Sequence, residues 1–370
     1  MRIPRNIVTS ARPLKILMRN RRDALTHPGG DTVLMENLRD GLEFLGNKVD
    51  IDLDLSFEAG AYDLVHLFNL TSPNLISTLA QDAIDQDVPF LVHALQEDWP
   101  RFLNRALATA VILEKYVSSG QRRERLASTL ALLRDCPSVE MPVTTAVGKA
   151  AAILCTGKQE VESVLRDYHA TRTHIIPLGA GLAVFHGNEA TGAEFSEAFG
   201  LHDFVLCVGR LEPRKNQLML LAALEDDDIT VVFADGGFTY APEYSEACRR
   251  FSRRGRTLFT GRISPRMLRS AYRAARVSCL PSWYELPGLA TLEAALWSRN
   301  VVTCPWGTIV DYLGQTCLYA EPDDFLGLRS QVLKAWDTSP NFALRERTVE
   351  FTWSRTARET EALYQELVAK

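Results

Sequence analysis

No apolar run in this 370-residue chain approaches the roughly 18–20 residues that cross a bilayer, so a membrane-spanning protein is not expected. The first residues, MRIPRNIVTSARPLKILM, hold Arg2, Arg5 and Arg12 but no apolar stretch of signal-peptide length, so secretion is not expected either. An excess of one charge is also missing. With 41 Lys+Arg against 46 Asp+Glu, the net charge of -5 excludes the overall basicity of a nucleic-acid binder. The seven cysteines (Cys136, Cys155, Cys207, Cys248, Cys279, Cys304 and Cys317) include no Cys-x-x-Cys pair, which argues against a disulfide framework or a zinc ribbon. Three lie in apolar runs (AAILC, FVLCV, VSCLP), where a thiol acts as a small hydrophobe. Low-complexity character is absent as well. What remains is a globular protein expected in the cytoplasm, with roughly two domains by length.

Apolar runs of strand length recur instead, each followed by a segment of helical period, the pattern of a parallel sheet wrapped by helices. In the first half they are 15–18, 49–53, 64–68, 90–93, 151–155 and 174–178. The second half repeats the pattern at 204–208, 229–234, 257–260, 277–280, 301–304 and 317–320. Between them, AVFHGNEATGAEFSEAFGLHD is polar and lacks strand pattern, as a linker does. Two doubly wound sheets in series predict a cleft, with the chemistry in the loops that follow the strands.

The most specific segment is PSWYELPGLATLEAALWSRN, 281–300. A strand ends, Glu285 appears, Pro287 and Gly288 turn the chain, and a helix begins that carries Glu293 roughly 8 Å further along its axis. Free N–H groups at that helix start form an anion site between two acids. An elongated ligand with phosphate in its middle and hydroxyl-rich ends, a nucleotide sugar, fits this arrangement. In FVLCVGRLEPRKNQLMLLAAL, a buried strand ends at Gly209, and Arg210 and Lys215 bracket the next loop, where they can neutralise a diphosphate.

Together with FADGG, FTGRIS, PWGTIVDYLG and EPDD, these segments resemble glycosyltransferase family 4, retaining enzymes of the GT-B fold. The likeness is strong over 204–333 and continues more weakly through HPGGDTVLMENLRDGLEFLGNKVDI, YDLVHLF and IIPLGAGLAVF. It implies an α/β fold of two facing Rossmann-like domains: an N-terminal acceptor-side domain 1–186, a linker 187–203, a nucleotide-sugar domain 204–345, and a helix 346–370 returning to the first domain. Arg210 and Lys215 would hold the donor diphosphate. Glu285, first acid of the family's Glu-x7-Glu motif, would face the transferred sugar, and Glu293 would bind the ribose hydroxyls. Backbone N–H groups of Gly288 and Leu289 would meet phosphate, and the base would lie near Arg262 and Ile263. Gly29 and Gly30 would let the first-domain backbone come close to substrate. His93, ending PFLVH, occupies the place of a sugar-contacting His and is assigned with Glu285 to the reacting centre.

The sequence departs from the family at Leu286-Pro287-Gly288, where Gly-Phe-Gly is common, in IIPLGAG, which lacks the usual Asn and Asp, and at Ala234 before Asp235. None of these removes a needed charge. His66 reads as a core residue, and Asp226, Asp227 and Asp228 as a solvated turn, so no metal site and no cofactor is expected. No Gly-x-Gly-x-x-Gly follows a strand, which disfavours a dehydrogenase. The stretch 101–134 mixes apolar residues at helical spacing with Arg101, Arg105, Lys115, Arg122, Arg123, Arg125 and Arg134, a candidate for peripheral contact with the inner membrane face. The expected activity is transfer of a hexose or N-acetylhexosamine, from a UDP-sugar in preference to a GDP-sugar, to a glycan or lipid-linked glycan. The alternatives are a phosphorylase or sugar-phosphate synthase of the same fold, or a silent sugar-nucleotide- or partner-binding protein.

Overall fold

The computed structural model describes residues 12–71, 73–120, 122–135, 145–170, 172–181, 191–297 and 300–369. Arg2, Arg5, Cys136, the Arg134 side chain and the start of the expected linker lie outside the described residues. The first sheet contains β1 (Lys15–Arg19), β2 (Lys48–Ile51), β3 (Leu64–Phe68), β4 (Phe90–His93), β5 (Ala152–Cys155) and β6 (Thr173–Ile175). The second contains β7 (Val205–Val208), β8 (Val231–Ala234), β9 (Thr257–Phe259), β10 (Val277–Leu280), β11 (Val301–Thr303) and β12 (Leu318–Tyr319). Each expected apolar run holds a strand. The sixth is cut short: Ile176 still donates to Cys155 O at 2.9 Å, but Pro177 has no N–H to continue the ladder.

All pairings are parallel, in the orders β2-β1-β3-β4-β5-β6 and β12-β11-β10-β7-β8-β9. Helices cover both faces, so β3, β5, β8 and β10 are buried along their whole lengths. The strand order reverses between β1 and β3 and again between β7 and β10. A crevice opens beyond the strand ends at such a reversal. The Gly29-Gly30 loop follows β1, GRLEPRK follows β7 and PSWYELPG follows β10, so the sequence motifs fall at the two reversals.

The helix Trp353–Val368 packs on the first sheet, its Trp353, Ala357, Leu363 and Tyr364 sharing a core with Ile16, Met18 and Leu38. Small residues permit this approach: a Cβ on Gly179 would lie 2.3 Å from the Trp353 backbone nitrogen, and one on Gly41 would lie 2.5 Å from the Ala357 Cβ. The six described cysteines are free and buried.

A second crossing was not legible in the sequence. Between β4 and β5 the chain forms the helices Trp99–Arg101, Leu107–Ser119 and Arg123–Ala131, joined by a π-helical turn Phe102–Ala106. Their apolar stripe (Ala110, Leu113, Tyr116, Leu126, Leu130) lies in the core of the second sheet with Val205, Leu218 and Leu221. This segment from within 1–186 therefore packs as part of the second domain. It is also the basic stretch considered for membrane contact, and its chemistry is used inside the protein. Arg105 pairs with Asp323, Arg123 with Asp226 at 3.0 Å, and Arg101 lies 3.2 Å from the Trp306 ring centre. Lys115, Arg122 and Arg125 remain exposed, as do Leu107 and Val111, while the main apolar stripe is buried against the second sheet. Among the described residues, no helix is long and apolar enough to cross a membrane.

The Asp323 side chain is 1% exposed, so removing Arg105 takes a charged partner away from a buried carboxylate. Arg105→Ala should lower the unfolding free energy by about 3 kcal/mol, measured by urea denaturation.

Candidate functional site

The site centres on Glu285, whose backbone is clamped by the loop after β11. Glu285 N–H donates to Trp306 O at 3.1 Å, and Thr308 N–H donates to Glu285 O at 2.9 Å. Two glycines make this possible. A Cβ on Gly307 (φ +95°) would come within 2.2 Å of Glu285 O, and one on Gly288 (φ +78°) within 2.5 Å of Glu285 Oε2. The Glu285 side chain is 3% exposed and receives a hydrogen bond from Lys215 Nζ at 2.6 Å. Burial pushes its carboxyl up, but Lys215 and Arg214 more than offset this, and it sits below the usual carboxylate range. Glu285 is therefore a charged acceptor at neutral pH.

The helix Leu289–Trp297 starts directly after Gly288, whose carbonyl takes the N–H groups of Thr291 and Leu292 at 2.8 and 3.0 Å. The N–H groups of Leu289 and Ala290 have no intrahelical acceptor and carry the positive end of the helix dipole. One turn on, the half-buried Glu293 lies 3.2 Å from the Tyr272 hydroxyl. Burial pushes its carboxyl up to about 7, against the opposing pull of Tyr272 and Arg269.

Arg210 follows Gly209 and turns toward the first domain. Its Nε meets Glu212 Oε1 at 2.8 Å, its Nη1 reaches Pro28 O at 3.5 Å, and its guanidinium lies 5.2 Å from the Tyr240 ring centre. It thus faces Gly29, where a Cβ would lie 3.8 Å from Arg210 Nη1 and 2.7 Å from Asp31 Oδ1. Gly30 begins the helix Gly30–Phe44 and has nothing within 4 Å of a built Cβ, so no contact in the protein requires glycine there. The exposed Arg262 and the partly buried Ile263 follow β9, with the Arg262 nitrogen 3.6 Å from a Cβ built on Gly237.

His93 is fully buried at the end of β4, stacked 5.5 Å from His66, and neither of its ring nitrogens has a hydrogen-bond partner. Desolvation pushes it down to about 3, so the ring is neutral at pH 7. His66 is a core residue whose Nδ1 meets Tyr364 Oη at 2.5 Å. Asp227 binds Arg329 through both oxygens, at 2.7 and 2.8 Å, and Asp226 binds Arg123 at 3.0 Å. Among the described residues, no three His, Cys, Asp or Glu side chains are grouped to hold a metal ion.

Two residues near Glu285 went unremarked in the sequence. Glu97, four positions past His93, places Oε1 3.1 Å from Arg214 Nη1. Arg214 was visible as the neighbour of Lys215, whereas no motif announces Glu97. Across the same opening, Tyr240 Oη donates to Asp23 Oδ2 at 2.8 Å and lies 3.3 Å from Arg21 Nη1, joining the loops after β8 and β1.

Residues 202–337 match the family described as Glycosyl transferases group 1. The chain is 26% identical over 243 residues to D-inositol 3-phosphate glycosyltransferase of Corynebacterium diphtheriae, covering 59% of this chain and 56% of that protein. It is 25% identical over 267 residues to mannosylfructose-phosphate synthase of Agrobacterium fabrum, covering 65% and 55%. It thus spans about half the length of the curated relatives it matches. Its fold is that of sucrose-phosphate synthase from Thermosynechococcus elongatus, with TM-score 0.70, 21% identity, and 96% and 99% of the two chains covered. HepE of Anabaena, solved in complex with UDP, superposes with TM-score 0.58 and 15% identity over 96% of each chain. The fold is GT-B, and the matched segment contains Glu285, Glu293, Arg210 and Lys215.

A carboxyl raised in the folded protein contributes stability in full below its unfolded value and loses it as pH rises through the folded one. For Glu293 that window runs from 4.5 to about 7. Glu293→Gln should therefore flatten the fall in unfolding free energy across this window, read from urea titrations at successive pH values. An unchanged slope contradicts the burial of a neutral Glu293.

Proposed function

We propose that the protein is a retaining glycosyltransferase that moves a hexose or N-acetylhexosamine from a nucleotide-diphosphate sugar, UDP-linked in preference to GDP-linked. The carrying observation is the Lys215–Glu285 pair, its carboxylate buried, at the start of a helix, with Arg210 on the same loop as Lys215. A departing nucleoside diphosphate gains negative charge, and fixed cations with unpaired helix N–H groups stabilise that charge where it develops. Lys215, Arg210 and the backbone of Gly288 and Leu289 supply those groups. Glu285, ionised, accepts hydrogen bonds from hydroxyls of the transferred sugar, and Glu293 takes the ribose. His93, neutral, has two unpartnered ring nitrogens for a sugar hydroxyl. The acceptor hydroxyl attacks on the face the diphosphate leaves, and a donor phosphate oxygen takes its proton. Arg262 and Ile263 lie beside the base, and Gly29 and Gly30 border the substrate from the first domain.

The acceptor reading shifts from the one the sequence suggested. Relatives named for inositol 3-phosphate and mannosylfructose-phosphate, with a fold neighbour named for sucrose-phosphate, favour a phosphorylated sugar or polyol over a glycan or lipid-linked glycan. The main apolar stripe of 99–131 packs in the second sheet's core, so that stretch offers less apolar surface to a lipid-bound acceptor than its sequence suggests.

Calorimetry with UDP-, GDP- and ADP-sugars, followed by turnover with hexose phosphates and inositol phosphate, tests this reading. Binding and transfer from a UDP-sugar are expected, and the absence of both for every sugar nucleotide overturns it. Lys215→Ala should lower turnover by about 10²–10³-fold while the far-UV circular dichroism is retained. Near-normal turnover contradicts its role.

A further inference from the structure

Glu97 stands outside every motif, yet it is the first-domain carboxylate that meets the cations of the group 1 segment. The residues on either side tie it to the first domain. Gln96 N–H donates to Glu160 Oε1 at 2.8 Å and its Nε2 donates to Asp167 Oδ2 at 3.0 Å. Asp98 lies 3.7 Å from Arg166 and caps the helix Trp99–Arg101. Glu160 is itself buried and also takes the Thr156 N–H at 2.5 Å and the Thr156 hydroxyl at 2.8 Å. Between these anchors, Glu97 Oε1 reaches Arg214 Nη1 at 3.1 Å, with the two side chains only 16% and 23% exposed.

Arg214 in turn joins the two loops that build the site. Its carbonyl accepts the Trp283 N–H at 2.9 Å and its Nη1 lies 3.4 Å from Tyr284 O, so it is fastened to the two residues before Glu285. The residue after it is Lys215, which holds the Glu285 carboxylate. A half-buried ion pair contributes little net stability, because desolvation offsets most of the attraction. Its evident effect is geometric: Arg214 is held from one side by the first domain and from the other by the Glu285 loop.

Resting on the donor reading above, we propose that Glu97 is a positioning residue. From the first domain it fixes Arg214, and through Arg214 it sets the Lys215 amine against Glu285, so the diphosphate site is in register only while the domains are in contact. Misplacing a binding group by about 1 Å costs on the order of 100-fold, and neutralising Glu97 should cost a sizeable part of that.

The test uses the full chain with Glu97→Gln, Arg214→Gln and the double variant. Hydrogen–deuterium exchange of peptides covering 210–217 is measured without ligand, and UDP affinity is measured by calorimetry. Glu97→Gln should speed exchange of the Lys215 and Asn216 amides and weaken UDP binding by roughly 10- to 100-fold. The double variant should bind UDP about as well as Arg214→Gln alone, since the two residues act as one unit. Unchanged exchange in Glu97→Gln overturns the proposal. So does unchanged UDP affinity in that variant when the wild type binds, or additive losses in the double variant. If the wild type binds no nucleotide while Glu97→Gln still loosens 210–217, the donor reading fails and the positioning role stands. Should Glu97→Gln not fold, Glu97→Asp serves in its place: it keeps the charge one methylene short of Arg214 and should loosen the same peptides.

Discussion

The site depends on one constraint: a carboxylate with almost no solvent around it must have a cation beside it. Glu285 meets that need through Lys215, and the two come from loops after β10 and β7, neighbours at the reversal of the second sheet. The rest of the loop geometry follows. Gly307 and Gly288 leave room for the Glu285 backbone and side chain, and the chain then enters a helix at once, which sets the positive end of a helix dipole a few residues after Glu285. An anion arriving there competes with Glu285 for Lys215. On the proposed function that competition suits a leaving group, because charge that grows in the transition state gains more from the amine than a ground-state diphosphate does.

Much of this was legible because it is local in sequence. Strands buried on both faces are written as apolar runs, and the loop after β10 carries its acid, turn and helix start within a few positions. The alternation of runs and helical segments showed two parallel sheets, while where the strand order reverses came only from the fold. The role of 99–131 was not legible, because its helical period shows an apolar stripe but not the surface that covers it. Basic residues at that spacing fit a membrane surface and an acidic protein surface equally well. Only the fold shows that Arg105 and Arg123 meet Asp323 and Asp226, more than a hundred positions away. Glu97 escaped notice for the same reason: its partner lies in the other half of the chain. At Gly30 a built Cβ would meet nothing within the protein, so the fold itself places no demand for glycine there.

Contacts across the cleft fall into two energetic classes. The segment 99–131 buries Leu113, Tyr116, Leu126 and Leu130 in the second sheet's core, at about 1.5–3 kcal/mol for each fully buried large apolar side chain. Such a contact is held through any motion short of unfolding. The others are polar and lie in or beside the opening: Arg210 to Pro28, Tyr240 to Asp23, and Glu97 to Arg214. Partly exposed pairs contribute about 0–1 kcal/mol each, so these can separate and reform in a working cycle. Opening of the cleft would then carry 99–131 with the second domain and break the polar set. Because that set includes the residue next to Lys215, it would also loosen the cation on which the carboxylate depends. A donor would meet a fully formed diphosphate site only when the first domain is back in place. On the proposed function, water is then also kept from the sugar, and hydrolysis is disfavoured by the same contact that prepares transfer.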